Sequence, residues 1–299
     1  MDEPLVSIVI TTRNEARNIG RCLEAVSHQT WPNIEVIVVD NKSDDQTKDI
    51  SRRYTSLVFD KGPERSAQRN HGLTEVATGK YGMFLDADMI ITPNLVESCV
   101  HMMMTTDVVA LHIEEKVLGR GYLAAVRRFE RSFYSGTVVD GVRFFDRQTF
   151  VDIGGFDETL PPGPEDWDLD KKFKRVGKVE LLPSVGDAAQ WPMADFVNTR
   201  GVKHLSRFVG LYHNEDEQSL ARYLSKKSYY SGSMKTYVDK WPNDPDVAKQ
   251  LGLTYRFFGV FLEDRKWRQL LGHPLLTAGM YSLRVLVGAQ YIIKRRGDA

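Results

Sequence analysis

The stretch WPNIEVIVVD, residues 31–40, constrains the fold more than any other part of the chain. Its apolar run lacks regular polar alternation, so a strand made from it is covered on both faces. Burial on both faces is the habit of parallel sheets, whose connections pass through helices. The neighbouring sequence supplies those connections. Leu5–Ile10 reads as a first short strand, and Ile19, Leu23 and Val26 share one face of a helix over about 16–28. A helix at roughly 46–54, a strand at 56–59, a helix over 65–78 and the strand in KYGMFLDAD continue the alternation. The pattern predicts an α/β fold with a mostly parallel central sheet flanked by helices.

In such sheets ligands gather beyond the carboxyl ends of the strands. TTRNE, DNKSDD and DADM each follow a predicted strand, so the fold brings them toward one crevice. Further along, GVRFFDRQTFVDIGGFDETL reads as a strand, a turn and a Gly-Gly corner, and a helix begins near Glu165. Beyond residue 214 the pattern turns mainly helical. The expected organisation is a catalytic unit over 1–214 and a helical extension over 215–299. Lys+Arg and Asp+Glu both total 40, so no overall basic charge argues for nucleic acid. Cys22 and Cys99 are the only cysteines, which points to a reducing compartment. MDEPLVSIVITTRNE lacks the basic region and small-residue cleavage site of a signal peptide, and a cytoplasmic protein is expected.

Two acidic groups carry the chemistry. Asp86 and Asp88 follow an apolar strand, and as hard oxygen ligands they suit Mg²⁺ or Mn²⁺ bridging substrate phosphates. On an extended backbone residues i and i+2 point the same way, so both would address one metal–diphosphate unit; the plain alternative is a solvated strand-end turn. In GPEDWD, Glu165 and Asp166 either complement a helix N-terminus or supply a general base, and Trp167 offers a flat face to a sugar or acyl group. Arg65 and Arg69 share a helix face and would meet phosphates, a carboxylate or solvent. His213, in LYHNEDE, suits Mn²⁺ beside an Asp.

Taken together these stretches resemble family 2 glycosyltransferases, inverting enzymes of the Rossmann-like GT-A fold, over roughly residues 5–215. VSIVITTRNEARNIGRCLEAVSHQTWPNIEVIVVDNKSDDQT is similar to that family's nucleotide-binding half, and GPERSAQRNHGLTEVATGKYGMFLDADM to its Arg-Asn segment and DxD motif. VDIGGFDETLPPGPEDWDLDKKFKRVGK matches its GGFDE and ED-x-D-L segments. The resemblance implies a metal-dependent transfer of one sugar from a nucleotide-diphosphate sugar to a hydroxyl or phosphate acceptor, on a glycan, glycolipid or lipid-linked carrier. Thr11, Arg13, Glu15, Asp40 and Asn41 would hold the nucleotide sugar, Arg69 would approach the base or ribose, and Asp86 the ribose or metal. Asp88 would bind Mn²⁺ or Mg²⁺ across the diphosphate, with His213 completing the site, and Asp166 would be the base. Asn41 stands where the family commonly has a second Asp, which weakens a UDP assignment and leaves a GDP-sugar open. QSLARY departs from the Q-x-x-R-W string of processive members, so a single transfer is expected. The competing functions are a nucleotidyltransferase, disfavoured by the missing Gly-rich loop, and a non-catalytic sugar-nucleotide-binding protein.

The longest apolar stretch, HPLLTAGMYSLRVLVGAQYII at 273–293, approaches the length of a membrane span, but Arg284 sits in its middle. RKWR before it and KRR after it suit a helix lying in a membrane interface, with peripheral contact through 265–296 at the inner face. The alternative is a helix packed on the domain or on a second copy of the chain.

Overall fold

The doubly covered sheet expected from WPNIEVIVVD is present. The computed structural model describes residues 3–160, 162–184, 191–202, 208–231 and 234–297. In chain order the described strands are β1 (Val6–Thr12), β2 (Ile34–Asp40), β3 (Val58–Asp60), β4 (Tyr81–Asp86), β5 (Met89–Ile91), β6 (Val108–His112), β7 (Glu115–Leu118), β8 (Val142–Asp146), β9 (Lys178–Leu181) and β10 (Leu211–Asn214). Seven form one sheet in the order β3-β2-β1-β4-β8-β6-β9, and β5-β10-β7 form a second. β1 pairs in parallel with β2 and β4, while β8 runs antiparallel to β4 and β6.

Side-chain alternation along β1 explains the layering. Val6, Ile8 and Ile10 face one core, shared with Ile19, Cys22, Leu23 and Val26 of helix α1 (Ile19–Ser27). Val9 faces the other, with Phe84, Phe145, Phe150 and Phe173. Helix α2 (Thr47–Ser51) follows β2. The helix expected over 65–78 is α-helical only as α3 (Arg65–Asn70), then widens into a π-helical turn at His71–Val76. That turn lies hard against β1: a Cβ on Gly72 would come within 2.5 Å of Val9, so only glycine fits.

Helices α4 (Leu95–Thr105), α5 (Gly121–Arg131), α6 (Arg147–Asp152), α7 (Glu165–Val176) and α8 (Ala194–Asn198) continue the chain. α6 occupies the place expected for a turn; Asp146 caps it by accepting from the Thr149 amide at 2.8 Å. The small sheet was not legible, because β5, β7 and β10 are short and pair across distant sequence.

The C-terminal helices are α9 (Leu220–Ser231), α10 (Met234–Lys240), α11 (Pro245–Leu251), α12 (Val260–Leu262), α13 (Trp267–Gly272) and α14 (Pro274–Gly297). They share an apolar cluster with α5, in which Val126, Phe129 and Phe133 meet Tyr223, Val260, Phe261, Met280 and Leu283. This cluster crosses the boundary expected at 214. Arg284 is buried: it pairs with Glu130 at 3.1 Å, donates to Tyr134 and the Arg256 carbonyl, and lies over the Phe261 ring. Of the two readings of 273–293, packing against the domain is therefore the one found around Arg284. Among the described residues no helix is long and apolar enough to cross a membrane.

A buried pair joins sheet to helix: His112 of β6 lies 2.6 Å from Asp170 of α7, which also takes Lys174 at 2.6 Å. Burial would lower the His112 pKa, but the Asp170 hydrogen bond, with the charges of Asp140 and Asp170, raises it above 6.5. Asp170→Ala is expected to cost about 3 kcal/mol in a urea titration at neutral pH, because it strands the buried histidine. The stabilisation from the raised His112 pKa is complete below about pH 6.5 and is lost as pH rises through the folded value. A variant whose stability follows the same pH dependence as the parent would remove this assignment.

Candidate active site

Strand register brings the expected residues together at one edge. Thr11 is the register partner of Asp86, and Thr12 of Asp40. Thr11 Oγ1 donates to Asp86 Oδ1 at 3.2 Å. Buried Gln68 donates to the carbonyls of Thr12 and Val39, which seats α3 on the strand ends.

The nucleotide-binding loops are laced to each other. Asp40 is buried and accepts from the Ser43 amide at 2.7 Å and from its hydroxyl. The Asn14 amide donates to Ser43 Oγ at 2.7 Å, and the Glu15 amide to Thr47 Oγ1 at 2.8 Å. Asn41 donates its side-chain amide to the Pro63 carbonyl, while its Oδ1 lies against Gly62, where a Cβ would clash. Arg13 is exposed. Glu15 accepts from Asn18; burial, with the charges of Asp88 and Asp86, still raises its carboxyl above the ordinary value.

Arg69 is the hub. It has no exposed surface, and its guanidinium donates to Asp86 Oδ1 and to Asp166 Oδ1, each at 2.8 Å. The Phe84 and Phe156 rings lie 4.3 and 5.0 Å from it. Burial raises the Asp86 carboxyl, but Arg69, Arg65 and Arg143 outweigh it and hold it well below the usual carboxylate range. The same opposition, with Arg69 and then Arg143 as the leading charges, lowers Asp166. Both carboxylates are therefore ionised at neutral pH, and both side chains keep some exposed surface. Arg69, expected against base or ribose, lies beneath the crevice, so its position does not serve that contact.

The neighbouring groups differ from expectation too. Glu165 is buried, paired with Arg65, and accepts the Gly163 amide, so it shapes the loop before α7. Trp167 donates Nε1 to the Val139 carbonyl at 3.0 Å and meets the Tyr237 ring, which places it in the helical layer. Glu165 therefore offers no acceptor surface, while Trp167 stays half-buried with its indole N–H already engaged. Asn70 clamps the Gly-Gly corner by exchanging hydrogen bonds with Phe156 at 2.8 and 2.9 Å.

Asp88 belongs to a second group. β4 ends at Asp86, and Ala87 and Asp88 form a turn, so the extended-backbone argument for a shared direction fails. Asp86 turns to Arg69, whereas Asp88 Oδ2 lies 3.1 Å from His213 Nε2. His213 Nδ1 lies 3.1 Å from Glu115, which Arg131 holds from its other oxygen at 3.1 Å. Burial opposes the charge on His213, but Asp88 and Glu115 raise its pKa well above 6.5. Glu115 is held far below its ordinary value: Arg131 and His213 overcome the cost of its burial.

Among the described residues no three His, Cys, Asp or Glu side chains converge on one metal position, which corrects the expected Asp86–Asp88–His213 set. Asp88 Oδ1 is nevertheless buried without a hydrogen-bond partner. The Asp88 oxygen, and the His213 nitrogen beside it once that nitrogen gives up its proton, would suit a Mg²⁺ or Mn²⁺ ion. Glu115, Arg131 and Arg143 were missed from sequence. The available signal was a charge inside an apolar strand run, as in GVRFF, where burial demands a partner.

Arg69→Leu is expected to lower stability by about 3 kcal/mol, since it leaves Asp86 and Asp166 facing each other unpaired. Carboxyl NMR titration would show both aspartates moving upward; an unchanged Asp166 would refute the hub assignment.

The family model described as Glycosyl transferase family 2 matches residues 7–155. Glycosyltransferase AglE of Haloferax volcanii is 35% identical over 179 residues, 54% of this chain and 58% of that relative. The Escherichia coli UDP-Glc:alpha-D-GlcNAc-diphosphoundecaprenol beta-1,3-glucosyltransferase WfgD is 29% identical over 112 residues, 36% of this chain and 44% of the relative. The match thus spans about half the length of these curated relatives. Among solved structures, the mannosyltransferase PcManGT from Pyrobaculum calidifontis, in complex with GDP-Man and Mn²⁺, superposes with a TM-score of 0.59. Its 17% identity, over 98% of this chain and 88% of that one, establishes the shared GT-A fold. The ordered strand-end motifs, the sheet they terminate and these likenesses lead to one assignment: the chain belongs to glycosyl transferase family 2.

Proposed function

We propose that this chain is an inverting glycosyltransferase that moves one sugar from a nucleotide-diphosphate donor to a hydroxyl or phosphate acceptor. The observation that carries this reading is Arg69, which ties Asp86 at the sheet edge to Asp166 at the head of α7. A carboxylate fixed this way is ionised and oriented before the acceptor arrives. Asp166 then takes the acceptor proton as oxygen attacks the anomeric carbon, and the carbon–diphosphate bond breaks on the opposite side. One displacement inverts the centre without a sugar–enzyme intermediate.

Asp88 and His213 are the residues proposed to hold the divalent ion, with the unpartnered Asp88 oxygen as support. When bound there, such an ion would supply positive charge against the nucleoside diphosphate leaving group. The GDP-Man and Mn²⁺ of the mannosyltransferase complex support this donor and cation class. The name of WfgD, with its diphosphoundecaprenol acceptor, supports a lipid-linked acceptor. Family membership favours transfer over the nucleotidyltransferase alternative. Cys22 and Cys99 are free and buried, in keeping with the proposed cytoplasmic setting.

Asp166→Asn is expected to lower kcat about 10²- to 10⁴-fold while nucleotide affinity stays close to the parent's; full turnover in that variant would remove Asp166 as the base. Asp88→Ala should abolish the Mn²⁺-dependent part of nucleotide affinity in calorimetry, and an undiminished Mn²⁺ effect would refute the cation role. A thermal-shift panel of UDP, GDP, dTDP and CDP with Mn²⁺ tests the donor class, since a bound nucleotide raises apparent stability. No shift with any of them would count against the transferase reading.

A further inference from the structure

The packing of α14 around Arg284 leaves other apolar positions of the C-terminal region, within and just before the 265–296 stretch, facing outward. Among the described residues, every large apolar side chain that is at least 60% exposed lies between Leu253 and Val285. Leu253, Leu271 and Leu275 are 74%, 74% and 77% exposed, with Phe258 at 60% and Leu262 at 61%. Scattered single exposures need no explanation, but a concentration of this kind marks an interaction surface.

These side chains stand on anchored backbone. Tyr122 of α5 donates to the Leu275 carbonyl at 2.6 Å, and Thr277 to the Leu270 carbonyl at 2.8 Å. Tyr281 donates to the Phe257 carbonyl at 2.9 Å, which ties the turn at Tyr255–Gly259 to α14. Asp264 and Arg265 both take left-handed backbone, with φ of 52° and 58°, at the corner between α12 and α13. The corner is followed by Trp267, with Arg265 and Arg268 exposed on either side of it and without an ion pair among the described residues. Lys266, between them, is spent on the Phe133 and Ser135 carbonyls, and Asp264 is the exposed acid of the segment.

We propose that this surface, centred on α13 and the start of α14, docks on an anionic lipid bilayer. Exposed leucines, an exposed tryptophan and flanking arginines form the combination that a headgroup–acyl boundary rewards. A second copy of the chain fits less well. A two-fold contact sets a patch against itself, so Arg265 and Arg268 would meet their own symmetry mates. α5 carries both Tyr122, exposed and bonded to the Leu275 carbonyl, and Arg131, which holds Glu115 behind His213. One rigid helix therefore sets the distance between bilayer and crevice. The docking proposal does not depend on the transferase reading.

Co-sedimentation of the full chain with vesicles tests it, with no sugar nucleotide present. Binding is expected to vesicles of phosphatidylcholine with roughly a third phosphatidylglycerol, and to weaken with salt. The double variant Leu271→Glu/Leu275→Glu, at exposed positions and checked for an unchanged melting temperature, should partition at least ~10-fold more weakly. Equal binding of parent and double variant, or no binding of the parent to anionic vesicles, would overturn the proposal. So would a dimer in sedimentation velocity that the double variant converts to monomer, since a second copy would then cover the patch. A nucleotide thermal shift on the same samples keeps the donor reading separate from this outcome.

Discussion

A guanidinium with no exposed surface is tolerated in a protein interior only where acceptors, above all carboxylates, meet it. Arg69 satisfies that condition with Asp86 and Asp166, and the rest of the site is arranged around it. Its neighbours on the same short helix secure the surroundings. Gln68 holds the strand-end carbonyls, Asn70 clamps the corner at Phe156, and Arg65 takes the buried Glu165. The segment RSAQRN thus fixes the sheet edge, the Gly-Gly corner and the N-terminus of α7 relative to one another.

The two acidic groups that flank this hub have different surroundings and so different chemistry. Asp86 and Asp166 share an arginine, which keeps them ionised and fixed in direction. Asp88 shares a histidine whose other nitrogen meets Glu115, and it retains a buried oxygen with no partner. The first group suits proton removal, and the second suits a hard cation. Arg143 acts on both groups, and Arg131, which holds Glu115, belongs to α5, the helix on which the C-terminal layer is packed. Site and extension are consequently parts of one charge-and-packing lattice.

Much of the fold was legible because its signals are local. The β1 and β2 runs, the helix faces and the polar strings after each strand need only short windows of sequence. Residues whose roles depend on distant partners were read less well. Asp86 and Asp88 were expected to face the same way, but the strand stops between them. Glu165 and Trp167 were expected near an acceptor, yet ion pairing buries Glu165, and a carbonyl and an aromatic ring hold one side of Trp167. Arg284 looked like an obstacle in a lipid-facing helix, and it is a buried partner of Glu130. Glu115 went unnoticed because a lone charge in a short strand has no motif around it.

By itself the sequence determined the parallel core, the strand-end placement of TTRNE, DNKSDD and DADM, and the family that their order resembles. Periodicity and chain order suffice for these, since backbone hydrogen bonding and apolar burial act within an element and its immediate crossover. Tertiary structure alone decided which carboxylate each arginine takes, that His213 stands between Asp88 and Glu115, and which face of the C-terminal helices remains uncovered. Those outcomes rest on ion pairs and packing between segments up to about 150 residues apart. Charge pairing at such separation has no period that a single sequence can display.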